Sequence, residues 1–253
     1  MKCFTRCLYC IRLLKRLTPF LNANRDYKLL DSVREIERKC QVIPVGVEFF
    51  SLSPQARKTF SGDVPIILWN QRWEYDKNPE LFFDALRTLQ DSEVEFHVAL
   101  CGQQSGKPPE CFLKAMVDLK DHIVFAGFAS SDSRDETPSE YHYWLRRASI
   151  VVSTASHENF GVAVVEAIGA ECFPILPRRL SYPELIPVNY HKHCLYSRFA
   201  GLVEKLRFAI AQRERTAEIA AALAKVIVDK YSWNNVAPEY DSLFASVAAK
   251  FKP

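Results

Sequence analysis

The sequence predicts an α/β protein built on a doubly wound parallel sheet. Three observations lead there. From about residue 64 onward, short apolar runs alternate with amphipathic helical stretches. The runs, such as VPIILW at 64–69 and SIVVS at 149–153, are continuously apolar and do not alternate, as strands covered on both faces must be. Finally, 253 residues of which 48% are hydrophobic and 25% charged suffice to bury a substantial core.

Reading period and breakers in order gives helical segments at 5–17 and 27–39, a short strand from Cys40 to Val47 (CQVIPVGV) and a Pro/Ser-containing connector from Ser51 to Asp63 that reads as a hinge. Strand 64–69 follows, then a helix over 79–90 that Pro79 opens as an early helical residue. Next come strand 94–101 (VEFHVALC), helix 109–120, strand 122–126, helix 139–147 and strand 149–153. Helix 161–170, a strand at 173–177 and helices 199–214, 216–230 and 235–249 complete the chain. Right-handed crossovers then make 64–230 one doubly wound domain of the nucleotide-binding type.

The formal charge of +3 is too small to identify a nucleic-acid binder without a clustered patch. Tandem arginines at Arg146–Arg147 and Arg178–Arg179 are the candidates for RNA phosphate contact, with a merely solvated surface as the alternative. No apolar run reaches the ~20 residues that a membrane span needs. A cytoplasmic protein is expected, with the nucleus or, because no acidic residue precedes Asp26, the mitochondrion as alternatives. The eight cysteines form no regular disulfide framework. CFTRCLYC has the spacing of an iron–sulfur loop, but its surroundings read as a basic amphipathic helix. No metal is expected: the HKHC run, His191 to Cys194, lacks a second ligand cluster and reads as a surface loop.

In a doubly wound sheet, ligands lie beyond the carboxyl ends of the strands, so the residues just after each strand are the informative ones. After the first stand Arg72 and Lys77, a two-pronged donor and a mobile point charge that suit a diphosphate, unless they merely meet Glu74, Asp76 and Glu80 in solvent. Gly102 and Gly106 follow the second strand without a dinucleotide fingerprint or a Walker lysine pattern. After the third, Phe125 and Gly127 offer a place for a flat ring against backbone. SHENFGVAVVEA follows the fourth: Gly161 opens a helix whose free amides attract phosphate, with Asn159, Phe160 and Val162 around that start. Glu158 precedes the helix and Glu166 lies more than one turn into it, both suited to accept from paired sugar hydroxyls. Glu166 stands in an apolar surround, where a carboxylate requires a partner.

HENFGVAVVEA resembles the E-x7-E signature of the retaining GT-B glycosyltransferases of family four. Arg72 and Lys77 resemble their diphosphate-binding pair, and YSWNNVAPEY resembles their closing Trp-bearing helix. The likeness runs in order over about 64–250 and implies the Rossmann-like C-terminal half of a GT-B fold. It divides the chain into a remnant of the N-terminal acceptor-side domain and linker at 1–60 and a nucleotide-sugar domain at 61–253. ILWNQRWEYDKNPELFF, VVSTASHENFGVAVVEA and FPILPRRLSYPELIP are similar to a branch of that family acting on tRNA. That branch implies GDP-mannose as donor and the cyclopentene-diol of queuosine in the tRNA(Asp) anticodon as acceptor. The resemblance places the base near Gly102 and Phe125 to Phe128, including Gly127, and the ribose on Glu166. It places the diphosphate on Arg72, Lys77 and the amides around Phe160 to Val162, and the hexose at Glu158.

The sequence also departs from the pattern. Thr154 and Ala155 replace a Pro-Ser pair, Asn159 replaces a glycine, and Glu171 stands where a glycine is expected, which requires Glu171 to avoid positive φ or bear strain. With most of the acceptor-side half missing from the pattern, this chain alone is expected to turn over little. The alternatives are a hexosyltransferase acting on a lipid or glycan, and a noncatalytic nucleotide-sugar-binding remnant.

Overall fold

The computed structural model describes residues 16–23, 29–49, 64–103, 106–130 and 139–250. The chain order is α1 (Leu30–Lys39), β1 (Ile66–Trp69), α2 (Pro79–Gln90), β2 (His97–Cys101), α3 (Glu110–Asp118), β3 (Ile123–Gly127), α4 (Glu140–Arg147), β4 (Ile150–Val152) and α5 (Val162–Gly169). It continues through β5 (Phe173–Pro177), α6 (Tyr182–Leu185), α7 (His191–Cys194), β6 (Leu195–Tyr196), α8 (Phe199–Ala211), α9 (Arg213–Tyr231) and α10 (Trp233–Lys250). The six strands form one sheet in the order β3-β2-β1-β4-β5-β6, and every neighbouring pair is parallel. The order reverses between β1 and β4, where Ile67 pairs with Ile150 and Leu68 with Val151. Two consecutive crossovers leave in opposite directions there, opening a crevice at the carboxyl edge.

Each β1 side chain is buried, which is why IILW shows no alternation. Pro79 opens α2, whose buried Phe82, Phe83, Ala85, Leu86 and Leu89 form one stripe. Trp69 stacks obliquely on Phe82 with centroids 4.5 Å apart, and Trp73 lies flat on Phe112 at 4.4 Å. Burying each such ring contributes on the order of 1.5–3 kcal/mol. On the sheet's other flank, α9 lays Ala220, Leu223, Ala224, Ile227 and Tyr231 over α5 and β5.

The sheet and its covering helices follow the sequence expectation, with boundaries shifted by up to three residues. Two expectations fail, and one strand was not foreseen. CQVIPVGV forms no strand; only Val47 makes an isolated bridge, to Ser232. Pro44 has no N–H to give, and the segment lies against the α9–α10 junction, where Val47 N–H donates to Tyr231 O at 2.7 Å and Tyr240 OH to Pro44 O at 3.4 Å. HKHC is one helical turn, not a surface loop: His191 Nε2–H reaches the Ile186 carbonyl at 2.8 Å, and Cys194 is fully buried. The two-residue edge strand β6 escapes the sequence reading because it is too short to show a period. The proposed helix at 5–17 falls mostly outside the described residues, which show helix at 16–22, and the hinge at 51–63 lies wholly outside them.

Glu171 takes the left-handed conformation, with φ +61°. It stands at the C′ position of a Schellman motif ending α5: Cys172 N–H donates to Ala167 O and Glu171 N–H to Ile168 O, each at 2.9 Å. The geometry wants glycine, and glutamate bears the strain. Glu171→Gly is expected to stabilise the fold by about 0.5–1 kcal/mol, read from urea denaturation. Gly46→Ala is expected to act oppositely. A Cβ there would sit 2.3–2.7 Å from the Trp233 ring, so the linker must back away from α10, at a cost of about 1–3 kcal/mol in the same measurement.

Candidate functional site

Two polar clusters stand at the carboxyl edge where β1 and β4 part. The first is built on the β1 exit. Asn70 is buried, and its Nδ2 donates to Ala163 O in α5 at 2.6 Å and to Tyr141 OH at 3.0 Å. Tyr141 OH in turn donates to Glu166 Oε2 at 2.7 Å. An asparagine, a tyrosine from α4 and a glutamate from α5 thus form one relay, satisfying the partner requirement of a half-buried carboxylate. Burial pushes the Glu166 carboxyl up and the Tyr141 bond pulls it down. Burial and the neighbouring Glu166 both push Tyr141 well above the usual phenol range, so it stays a donor.

The second cluster centres on Lys77, at the end of a 3-10 turn, Tyr75–Lys77, and only 7% exposed. Its Nζ lies 3.3 Å from Glu158 Oε2 and 3.2 Å from Asp76 Oδ2, and donates to His157 O at 3.1 Å. Glu158 is fixed from its other side: Oε1 accepts from Asn159 N–H at 3.0 Å and Phe160 N–H at 3.3 Å. The loop is lashed down around this pair. Thr154 Oγ1 lies 2.9 Å from Lys77 O and 2.8 Å from Asn78 O, Ser156 N–H donates to Asp76 O, and Arg179 reaches the Ala155 and Thr154 carbonyls at 3.1 and 3.0 Å. Ser181 Oγ donates to Phe160 O, and the Phe160 ring meets Tyr231 edge-on.

Arg72 stands at the same edge but further out, half-exposed and 3.0 Å from Glu74. Gly102 follows β2, where a Cβ would sit 2.0 Å from the Gln71 carbonyl, so the backbones of the β1 and β2 exits approach only because no side chain intervenes. Its N–H donates to Gly127 O, and Phe125 packs obliquely against Trp144. The predicted residues therefore come from three neighbouring strand exits and the α5 start. One detail departs from expectation: the Phe160 amide, assigned to the diphosphate, is taken by Glu158 Oε1. The first-turn amides of α5, from Val162 onward, precede the first intrahelical bond, which Val165 N–H makes to Gly161 O.

Sequence reasoning missed Asn70 and Tyr141; it named Asp76 only as a possible counter-charge, which it is for Lys77, and Arg179 only as a candidate for RNA phosphate contact, whereas its guanidinium holds the Thr154 and Ala155 carbonyls. A polar residue ending an apolar run was a usable signal for Asn70; Tyr141 carried none, since its helix reads as an ordinary covering helix. Burial lifts the thiol of Cys101 beside this edge to about 12, which removes it as a nucleophile.

Residues 54–226 match the family described as "Glycosyl transferases group 1". The chain belongs to that family. It is 33% identical over 243 residues to a Drosophila melanogaster protein named tRNA-queuosine alpha-mannosyltransferase, covering 93% of this chain and 62% of the relative. The chain thus spans less than two thirds of that relative's length. Its fold resembles a glycosyltransferase from Rickettsia africae, with TM-score 0.70 and 19% identity over 87% of this chain and 60% of the other. It also resembles Anabaena HepE, solved with UDP and glucose, with TM-score 0.66 and 15% identity over 92% and 67%.

In this group 1 chain the relay gives a pH signature. Glu166 in the folded state has its pKa raised above its ordinary 4.5, so it favours folding below that value, and the contribution is lost as pH rises through the folded value. Glu166→Gln is expected to flatten the fall of stability over that window. Tyr141→Phe, lacking the bond that lowers the pKa, should extend the fall to higher pH. Denaturant unfolding at a series of pH values from about 4.5 to 8 reads both.

Proposed function

We propose that this chain is the donor-binding part of a retaining glycosyltransferase that moves mannose from GDP-mannose to queuosine in a tRNA anticodon. The observation that carries the reading is the placement of a nearly buried lysine, Lys77, beside the start of α5, with Glu158 on it and Arg72 further out on the same rim. The relative's name supports the acceptor, and the UDP and glucose bound by HepE support a nucleotide sugar as the class of donor. Residues 61–253 form the donor unit in this reading, and residues before 61 belong to the acceptor side.

The diphosphate lies between Arg72, Lys77 and the first-turn amides of α5. Lys77 turns from Glu158 toward the phosphates as they arrive. The ribose hydroxyls donate to Glu166, whose carboxylate the Tyr141 hydroxyl keeps oriented. The base lies against the close-packed backbone at Gly102 and Gly127, beside Phe125. Transfer breaks the bond between the mannose anomeric carbon and the diphosphate oxygen, which keeps the electron pair. The queuosine hydroxyl then bonds to that carbon on the same face and loses its proton to the departing phosphate. The protein's contribution is electrostatic: two cations and a helix terminus stabilise the charge that develops on the leaving group. Neither glutamate acts as a nucleophile.

Thermal unfolding tests the reading. GDP-mannose is expected to raise Tm more than UDP-glucose at equal concentration, since binding only the folded state stabilises it. Arg72→Ala and Glu166→Ala should each weaken the donor by about 10- to 100-fold, as loss of a charge-assisted hydrogen bond does, with little change in the unliganded Tm. Equal shifts for the two donors remove the GDP-mannose assignment. A collapse of the unliganded Tm in both variants assigns the two residues to the fold.

A further inference from the structure

The flank beyond β5 and β6 gathers cations that make no ion pair among the described residues. Arg178 follows β5, its N–H bonded to Tyr196 O at 2.6 Å and its Nη2 3.5 Å from His191 O. Lys205 of α8 bonds the Lys192 carbonyl through Nζ. Arg215, near the start of α9, lies over the Phe208 ring at 5.7 Å, and His193 lies on that ring at 6.1 Å. Four elements thus bring five basic side chains to one side of the sheet. Among the described residues, none of Arg178, Lys192, Lys205 and Arg215 forms an ion pair, whereas Lys39, Lys77 and Arg87 elsewhere each contact a carboxylate. The repulsion is felt inside the group. Burial lowers the pKa of His193 with help from Arg215, Lys205 and Lys192; burial also lowers Lys205, with Arg178 and Lys192 adding to it and Glu204 opposing.

We propose that this flank, formed by Arg178, Lys192, His193, Lys205 and Arg215, is a docking surface for the phosphate backbone of an RNA acceptor. The RNA identity rests on the acceptor reading above. The surface is spread over four elements, more than one small phosphate engages, and the donor's diphosphate already has Arg72 and Lys77. It joins the site through Arg179, which holds the Thr154 and Ala155 carbonyls of the Glu158 loop and is followed back along the chain by Arg178. A polyanion that reaches the site from this side lies along the cations. Each phosphate that binds here relieves repulsion and releases counterions, which makes the contact salt-dependent.

The test is fluorescence-anisotropy binding of an unmodified tRNA transcript at a series of salt concentrations. The proteins compared are wild type, the triple variant Arg178→Glu/Lys192→Glu/Arg215→Glu, and the control Lys114→Glu/Lys120→Glu at the β3 end of the sheet. The triple variant is expected to bind at least about tenfold more weakly and to lose roughly 0.7–0.9 from the log–log salt slope per contact removed, while the control matches wild type. If the glutamate variant does not fold, the Arg178→Gln/Lys192→Gln/Arg215→Gln variant gives the same reading. Wild type failing to bind tRNA, or the triple variant matching the control, overturns the proposal. So does flank-dependent binding to phosphatidylserine vesicles while tRNA binding is unchanged, which would assign the flank to a lipid surface. A selective GDP-mannose shift alongside unaltered tRNA binding in the triple variant removes the flank and leaves the donor reading standing. Flank-dependent tRNA binding without any donor shift does the reverse.

Discussion

The Lys77–Glu158 contact is the constraint around which the site is arranged. A lysine that is only 7% exposed has lost most of its hydration, and its partners must compensate for that loss. Lys77 has two carboxylates and a backbone carbonyl within 3.3 Å. The carboxylate from the α5 side is itself anchored by two amides of its own loop. Glu158 therefore has little freedom to follow a ligand, whereas Lys77 rides on a flexible stem. In the proposed function, an incoming anion competes with Glu158 and Asp76 for the lysine while the loop, already fixed by its own hydrogen bonds, stays in place.

The departures from the family pattern are absorbed by the same loop. Where a Pro-Ser pair is expected, Thr154 puts its hydroxyl between the carbonyls of Lys77 and Asn78, tying the β4 exit to the turn that carries the lysine. Asn159, in place of glycine, contributes its backbone N–H to Glu158. Glu171 is different: it occupies a left-handed C′ position that its side chain does not help, so its strain is borne by the Schellman bonds and by the burial of Cys172 behind it.

The fold was legible because its strands are continuous apolar runs and its helices carry one-sided stripes; both are local signals. The placement of Glu158, Glu166, Arg72 and Lys77 at one edge of the sheet was legible because strand exits can be located from those runs. Asn70, Tyr141 and the loop-holding role of Arg179 were not, because each acts across the sheet on a residue 24 to 93 positions away, and no local period encodes that. The strand expected at Cys40–Val47 failed for the complementary reason. Its composition suits a strand, but its backbone partners are the carbonyl and amide groups of the α9–α10 junction, not a sheet edge.

The eight-residue spacing of the two glutamates follows from this arrangement. Glu158 lies before the N-cap of α5 and turns toward the 3-10 turn of Lys77; Glu166 lies in the second turn of α5 and faces the β1 exit at Asn70 through Tyr141. Both thus point at the same eight-residue stretch, Asn70 to Lys77, from its opposite ends. Asn70 also holds Ala163 O, so the stretch and the helix start are fastened to each other at both ends. In the proposed function, a ligand between them meets a cation, a helix terminus and two carboxylates whose spacing the sheet has already fixed, and little reorganisation remains for the binding step.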